Sequence, residues 1–85
     1  MNKEDICATI ISSIELSEEQ VLLLNRFVKN NTDVSMDQIS IDSLSAMELS
    51  ISFEANLGIS IEPEIILSEK SIESLFDKLI ILKAS

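Results

Sequence analysis

Apolar residues recur along most of this chain at intervals of three and four, the spacing that stacks side chains on one face of an α-helix. Ile6, Ile10, Ile11 and Ile14 form the first such run and predict a helix from about Lys3 to Ile14. Cys7 sits beside that face and reads as a small buried apolar side chain rather than a reactive thiol. Ser17, with Gln20 three residues later, is a capping box, and Glu18 and Glu19 suit the positive end of a helix. A second helix is therefore predicted from about Glu18 to Lys29, carrying Val21, Leu22, Leu23, Leu24, Phe27 and Val28. Asn30-Asn31-Thr32-Asp33 ends it, and Val34 to Ile41 reads as a short connector anchored by Val34, Met36, Ile39 and Ile41.

The sharpest helix signal comes next. Asp42 is a preferred N-cap, and Gly58 stands where a left-handed residue is wanted after a helix end, so the helix should run from Ser43 to Leu57. Ala46, Leu49, Phe53 and Leu57 share one face and are expected in the core. Leu44, Met47, Glu48, Ile51 and Glu54 fall on the other sides. Ile59-Ser60-Ile61 alternates and reads as extended; Pro63 follows, and Glu64 to Leu67 suits a short helical turn. Ser71 caps a last helix, about Ile72 to Lys83, with Ile72, Leu75, Phe76, Leu79 and Leu82 on one face.

With one Gly and one Pro, the turns of a sandwich or barrel are missing. The expected fold class is all-α. It is a small four-helix bundle of three main helices and a short one, with segment 18–29 as an extra helix before the Ser43 helix, in a single domain over residues 1–85.

Eighty-five residues bury a modest core and leave little room for a deep catalytic cleft. That points to a module handled by other proteins rather than a self-sufficient enzyme. Fifteen acidic residues face six basic ones, for a net charge of −9. Such a surface repels nucleic acid and anionic membranes, and it speeds encounter with proteins carrying basic patches. The plainer account is that the acids keep a small domain soluble. One Cys and no His exclude an internal disulfide, the usual zinc sites and Cys–His catalysis. No apolar run is long enough to span a membrane, and Met1-Asn2-Lys3-Glu4-Asp5 lacks the pattern of a signal peptide, so a cytoplasmic location is expected.

Ser43 is the candidate for chemistry. At the first position of a helix it meets backbone N–H groups without intrahelical partners and the positive end of the helix dipole. A phosphate attached there is stabilised by both. The chain has no His to act as a base, so Ser43 suits the role of another enzyme's substrate better than that of a nucleophile. Taken alone, Asp42-Ser43-Leu44 is ordinary capping chemistry.

The longer stretch is more specific. Ile41-Asp42-Ser43-Leu44-Ser45-Ala46-Met47-Glu48-Leu49, then Phe53-Glu54, then Leu57-Gly58-Ile59-Ser60-Ile61, resembles the acyl carrier protein family without a gap, and Ser71-Ile72 falls where that family begins its last helix. The resemblance implies that Ser43 receives 4′-phosphopantetheine from coenzyme A through a separate Mg²⁺-dependent phosphopantetheinyl transferase. The arm's thiol then carries an acyl or aminoacyl group as a thioester. It further implies that Asp42 helps the transferase recognise the site. Leu44, Met47, Glu48, Ile51 and Glu54 would form the surface read by acyl-loading, ketosynthase or other biosynthetic enzymes with basic docking patches. Neither nucleic acid nor membrane is implied as a partner, and a monomer is expected.

The chain departs from the family pattern at Ser40, where Gly is usual, at Ala55, which is often acidic, and at Pro63, one place later than the common Pro. Ala46, three residues after Ser43, looks more like polyketide-type carriers; fatty-acid carriers share the plan. The chain begins with Met and ends soon after its last helix, which suggests a free-standing carrier of a secondary-metabolite pathway, antibiotic biosynthesis included. The alternatives are a discrete peptidyl or aminoacyl carrier of nonribosomal peptide synthesis, a helical interaction domain with no prosthetic group and, more remotely, an enzyme.

Overall fold

The computed structural model describes residues 1–84. Among these, six α-helices follow one another: α1 Lys3–Ser13, α2 Glu18–Asn30, α3 Met36–Ile39, α4 Ser43–Leu57, α5 Pro63–Ser68 and α6 Ile72–Ala84. The class is all-α, as the spacing predicted. Helix α4 has the predicted bounds, and the others end within about two residues of expectation, the usual uncertainty of helix ends.

Local chemistry explains the starts. Asn2 and Asp5 form a reciprocal capping box on α1, with the Asp5 N–H donating to Asn2 Oδ1 at 2.9 Å. Ser17 and Gln20 do the same on α2, as do Ser35 and Gln38 on α3. Pro63 occupies the first turn of α5, where a missing N–H costs nothing, which accounts for its place in this chain. Ser71 accepts from the Ser74 N–H at 3.1 Å, and Ser74 Oγ accepts from the Ser71 N–H at 3.2 Å, opening α6.

Helix α4 is the spine. It packs against α1 on one side and α5 on another, and its Ala46, Leu49 and Phe53 are fully buried. Ile6 and Ile10 of α1, Leu24 and Phe27 of α2, Ile66 of α5, and Ile72, Leu75 and Leu79 of α6 complete the centre of the core. Ile59 and Ile61 are buried around an exposed Ser60; the alternation is real, yet the segment forms no strand. Leu57, expected in the core, is only partly buried, because it is the last residue of α4, at the edge of the core.

Two expectations are sharpened. Segment 18–29 forms the extra helix, but it is no appendage: Leu24 and Phe27 are wholly buried, and Phe27 meets Phe76 edge to face at 6.3 Å. The Lys3 ammonium lies 4.6 Å from the Phe27 ring centre and donates to Asn31 Oδ1 at 2.7 Å, which ties α1, α2 and α6 together. The connector from Val34 to Ile41 holds a helical turn, α3, rather than plain loop. Its anchors differ in depth: Val34 and Ile39 are buried, Met36 and Ile41 partly so.

Four hydrogen bonds hold that connector. The Met36 N–H donates to Lys70 O at 3.0 Å, and the Ile72 N–H donates to Val34 O at 2.8 Å. Gln20 Nε2 reaches both the Gln38 and Ile39 carbonyls, at 3.1 and 3.2 Å. The chain is thereby delivered to Asp42 from a held position. Ser40 ends α3 with φ 60°, in the left-handed region, at the place where the resembled pattern has glycine.

Two stability outcomes are expected, both read by urea denaturation. Phe27→Ala should cost about 3–5 kcal/mol, as for a large core truncation; a loss below about 1 kcal/mol would mark α2 as dispensable. Ser40→Gly should gain about 0.5–1 kcal/mol, because relief of a left-handed L-residue outweighs the added freedom of glycine in the unfolded chain.

Candidate functional site

The N-terminus of α4 is built by Asp42. Its backbone is extended (φ −99°, ψ −175°), and its Oδ1 accepts from the Ser45 N–H at 2.8 Å. Its carbonyl accepts from the Ala46 N–H at 2.9 Å. The Ser45 N–H, helped by the Ser45 side chain, holds the Asp42 carboxyl below its ordinary value of 3.8. At neutral pH the cap is therefore a carboxylate.

Because Asp42 does the capping, the next residue is released from it. Ser43 is exposed at the first helical position, and no acidic residue occupies the first turn. The other serines at helix starts are differently placed. The Ser17 hydroxyl accepts from the Gln20 N–H at 3.2 Å, Ser35 from Asp37 at 3.3 Å, and Ser71 from Ser74 at 3.1 Å. Ser43 thus combines an exposed hydroxyl with the positive end of a helix of 15 residues.

The far end of that helix is finished with equal care. Gly58 turns left-handed at φ 67°, its N–H donates to Glu54 O at 3.1 Å, and Lys83 Nζ donates to Leu57 O at 2.6 Å. A cation there complements the negative end of the helix dipole.

The residues that flank the buried stripe face water. Leu44 is 65% exposed, Met47 54% and Ile51 67%, and Glu48 and Glu54 are exposed with them. Residues 44, 47, 48 and 51 follow helical spacing, so they form one outward face. Ser43, Asp42 and this face therefore share one helix, as the spacing predicted. Sequence reasoning missed Leu67, 43% exposed on α5, because the run Ile65-Ile66-Leu67 does not show which of its members points inward. It also missed a cleft of about 520 Å³ whose lining includes Met36, Ser40, Ile41, Leu67, Ser68 and Lys70.

Cys7 offers no competing chemistry. It is 2% exposed, and burial pushes its thiol up to about 11 although Lys3 acts in the opposite direction. Among the described residues no cluster of His, Cys, Asp and Glu could hold a metal ion, and no helix is long and apolar enough to cross a membrane.

A family model described as a phosphopantetheine attachment site matches residues 21–79, well over half of the chain. No curated protein and no solved structure matches the chain significantly.

The Asp42 cap has a pH signature. Its pKa is lowered by folding, so its stabilisation is present above the unfolded value and is lost as pH falls through the folded one. Asp42→Ala should be less stable than the parent at pH 7, and the gap should close as pH drops below 3.8, as urea titrations at several pH values would show. A gap that is unchanged in acid would mean that the carboxylate is not the capping group.

Proposed function

Because this chain belongs to the family of proteins with a phosphopantetheine attachment site, and so carries 4′-phosphopantetheine on a serine, we propose that Ser43 is the serine that carries it. The observation that supports this reading most is the division of labour at α4. Asp42 caps the helix, and the Ser43 hydroxyl stays exposed beside the positive helix end.

The reaction we propose is a transfer made by a separate phosphopantetheinyl transferase. The Ser43 oxygen forms a bond to the pantetheine-bearing phosphorus of coenzyme A. The pyrophosphate P–O bond breaks, 3′,5′-ADP leaves with the electron pair, and the hydroxyl proton passes to a base of the transferase. The positive end of the α4 dipole then lies beside a phosphodiester, an arrangement worth about 0.3–1 kcal/mol. When attached, the arm supplies a thiol that holds acyl groups as thioesters. The chain's own thiol cannot, since Cys7 is buried and protonated. Asp42 is proposed to be read by the transferase along with Ser43.

Proteins of this family are handled by the transferase and by biosynthetic enzymes. We assign their docking to Leu44, Met47, Glu48, Ile51 and Glu54. Exposed apolar side chains bordered by carboxylates suit a partner with an apolar patch and a basic rim. Domains of this family act as carriers rather than catalysts, and the reading here is a single carrier domain that works in the cytoplasm, where coenzyme A is at hand. We place its cargo among the acyl groups of polyketide-type biosynthesis. Ala46, the residue that favours this assignment, is fully buried, so core packing also favours a small side chain there.

Incubation with coenzyme A and a broad-specificity transferase should add one phosphopantetheine to the intact mass, together with one fast-reacting thiol. Cys7 should stay silent to thiol reagents in the native state. No mass gain, or a gain that persists in Ser43→Ala, refutes the assignment. Met47→Arg and Glu48→Lys should slow loading about tenfold or more while leaving the helical circular dichroism unchanged. Unaltered loading rates in both would move the docking surface elsewhere.

A further inference from the structure

Given Ser43 as the attachment residue, we infer that Gln20 is a positioning residue for the transfer of phosphopantetheine to it. Gln20 stands on α2, and its side chain acts through the end of α3.

A four-residue helix cannot satisfy its own carbonyls. In α3 the Ser40 N–H donates to Met36 O at 3.1 Å, and the Ser40 hydroxyl donates to Asp37 O at 3.4 Å. The carbonyls of Gln38 and Ile39 both take Gln20 Nε2, at 3.1 and 3.2 Å. A side-chain NH₂ has two N–H groups, so one residue can serve both. The oxygen of the same amide is engaged elsewhere: Gln20 Oε1 accepts from the Ser17 N–H at 2.9 Å. Donors and acceptor are thus divided between the start of α2 and the end of α3.

Only Ser40, Ile41 and Asp42 separate Ile39 from Ser43. Ser40 turns left-handed, Ile41 is half-buried and Asp42 opens α4. Among the described residues, Ile39 is the last place before Asp42 where a side chain of another element holds this link by a hydrogen bond. Helix α4 itself is fixed by its buried stripe. Released at Ile39, the link would sample several approaches to Asp42. A transferase that takes up Asp42 and Ser43 together would then meet the competent arrangement in only part of the population. Its apparent affinity falls by that fraction, while the rate within the bound complex is unchanged.

The amide donors can be separated from the rest of the side chain. Gln20→Glu keeps the shape and the oxygen that accepts from Ser17, but sets carboxylate oxygen against two carbonyl oxygens. Gln20→Leu removes the grip without adding charge. Ser17→Ala removes the hydroxyl that caps α2 and leaves the grip in place. With coenzyme A and a broad-specificity transferase, both Gln20 variants should raise the KM for the carrier about threefold or more, with kcat within about twofold of the parent. The Ser40 amide, which bonds Met36 O, should exchange with deuterium about tenfold faster in both. Ser17→Ala should lower the urea midpoint and move neither quantity. Gln20→Asn, too short to span from Ser17 to α3, replaces either Gln20 variant should it lose its helical circular dichroism.

An unchanged KM, or a loss confined to kcat, overturns the inference and leaves Ser43 as the attachment residue, provided the intact mass still shows loading. A rise in Gln20→Glu alone would be an effect of added charge, and an equal rise in Ser17→Ala would be one of helix stability; either result also overturns it. A parent that gains no mass, or a gain that persists in Ser43→Ala, overturns the attachment reading, and the role of Gln20 falls with it.

Discussion

The buried stripe of Ala46, Leu49 and Phe53 is the constraint on which the rest of this protein depends. All three are sealed from solvent against α1, α5 and their neighbours. Turning α4 about its axis would expose Phe53 and bury Glu48 or Glu54, and an unpaired buried carboxylate is far costlier than any surface contact it could gain. The rotation of α4 is therefore set by its core side. Everything on its outer side follows: Leu44, Met47 and Ile51 face water because the opposite stripe has no alternative.

The axial position of α4 is set separately. Asp42 stops the helix at one end through the Ser45 N–H, and Gly58 with Lys83 stops it at the other. The approach to Asp42 is held by main-chain bonds from segment 34–36 to segment 70–72 and by Gln20, which caps its own helix and grips the end of α3 at once. A small domain with little core to spare uses these polar clamps to hold one serine at a fixed place on its surface.

The outward face of α4 is a physically unusual surface for so acidic a chain. Three large apolar side chains stand exposed on one helix, while most of the 15 acids are spread over the other elements. An acidic surface that only served solubility would not need them. A carrier that must be recognised, docked and released by several enzymes does, since apolar patches give affinity and surrounding charge gives steering. The same helix thus joins the proposed attachment point to the proposed docking surface, and this joins the match to the phosphopantetheine attachment family to a geometry that suits it.

The sequence by itself determined the helices and the candidate serine. A capping box at Ser17, an N-cap at Asp42, a glycine past Leu57 and apolar spacing of three and four are local signals, and local hydrogen bonds obey them whatever the rest of the chain does. That is why α4 carries its predicted bounds and why Ser43 falls at its first position. Only the tertiary structure decided three other things. It showed that α2 is part of the core, because Phe27 is wholly buried and meets Phe76 and Lys3, which are distant in the chain. It turned the Val34–Ile41 connector into a clamped helical turn through bonds to residues 70 and 72. It also opened the cleft beside Ser40 and Ile41, whose far wall comes from the end of α5 and the turn that follows. Each of these rests on contacts between segments far apart in sequence, and no local periodicity encodes which segments will meet.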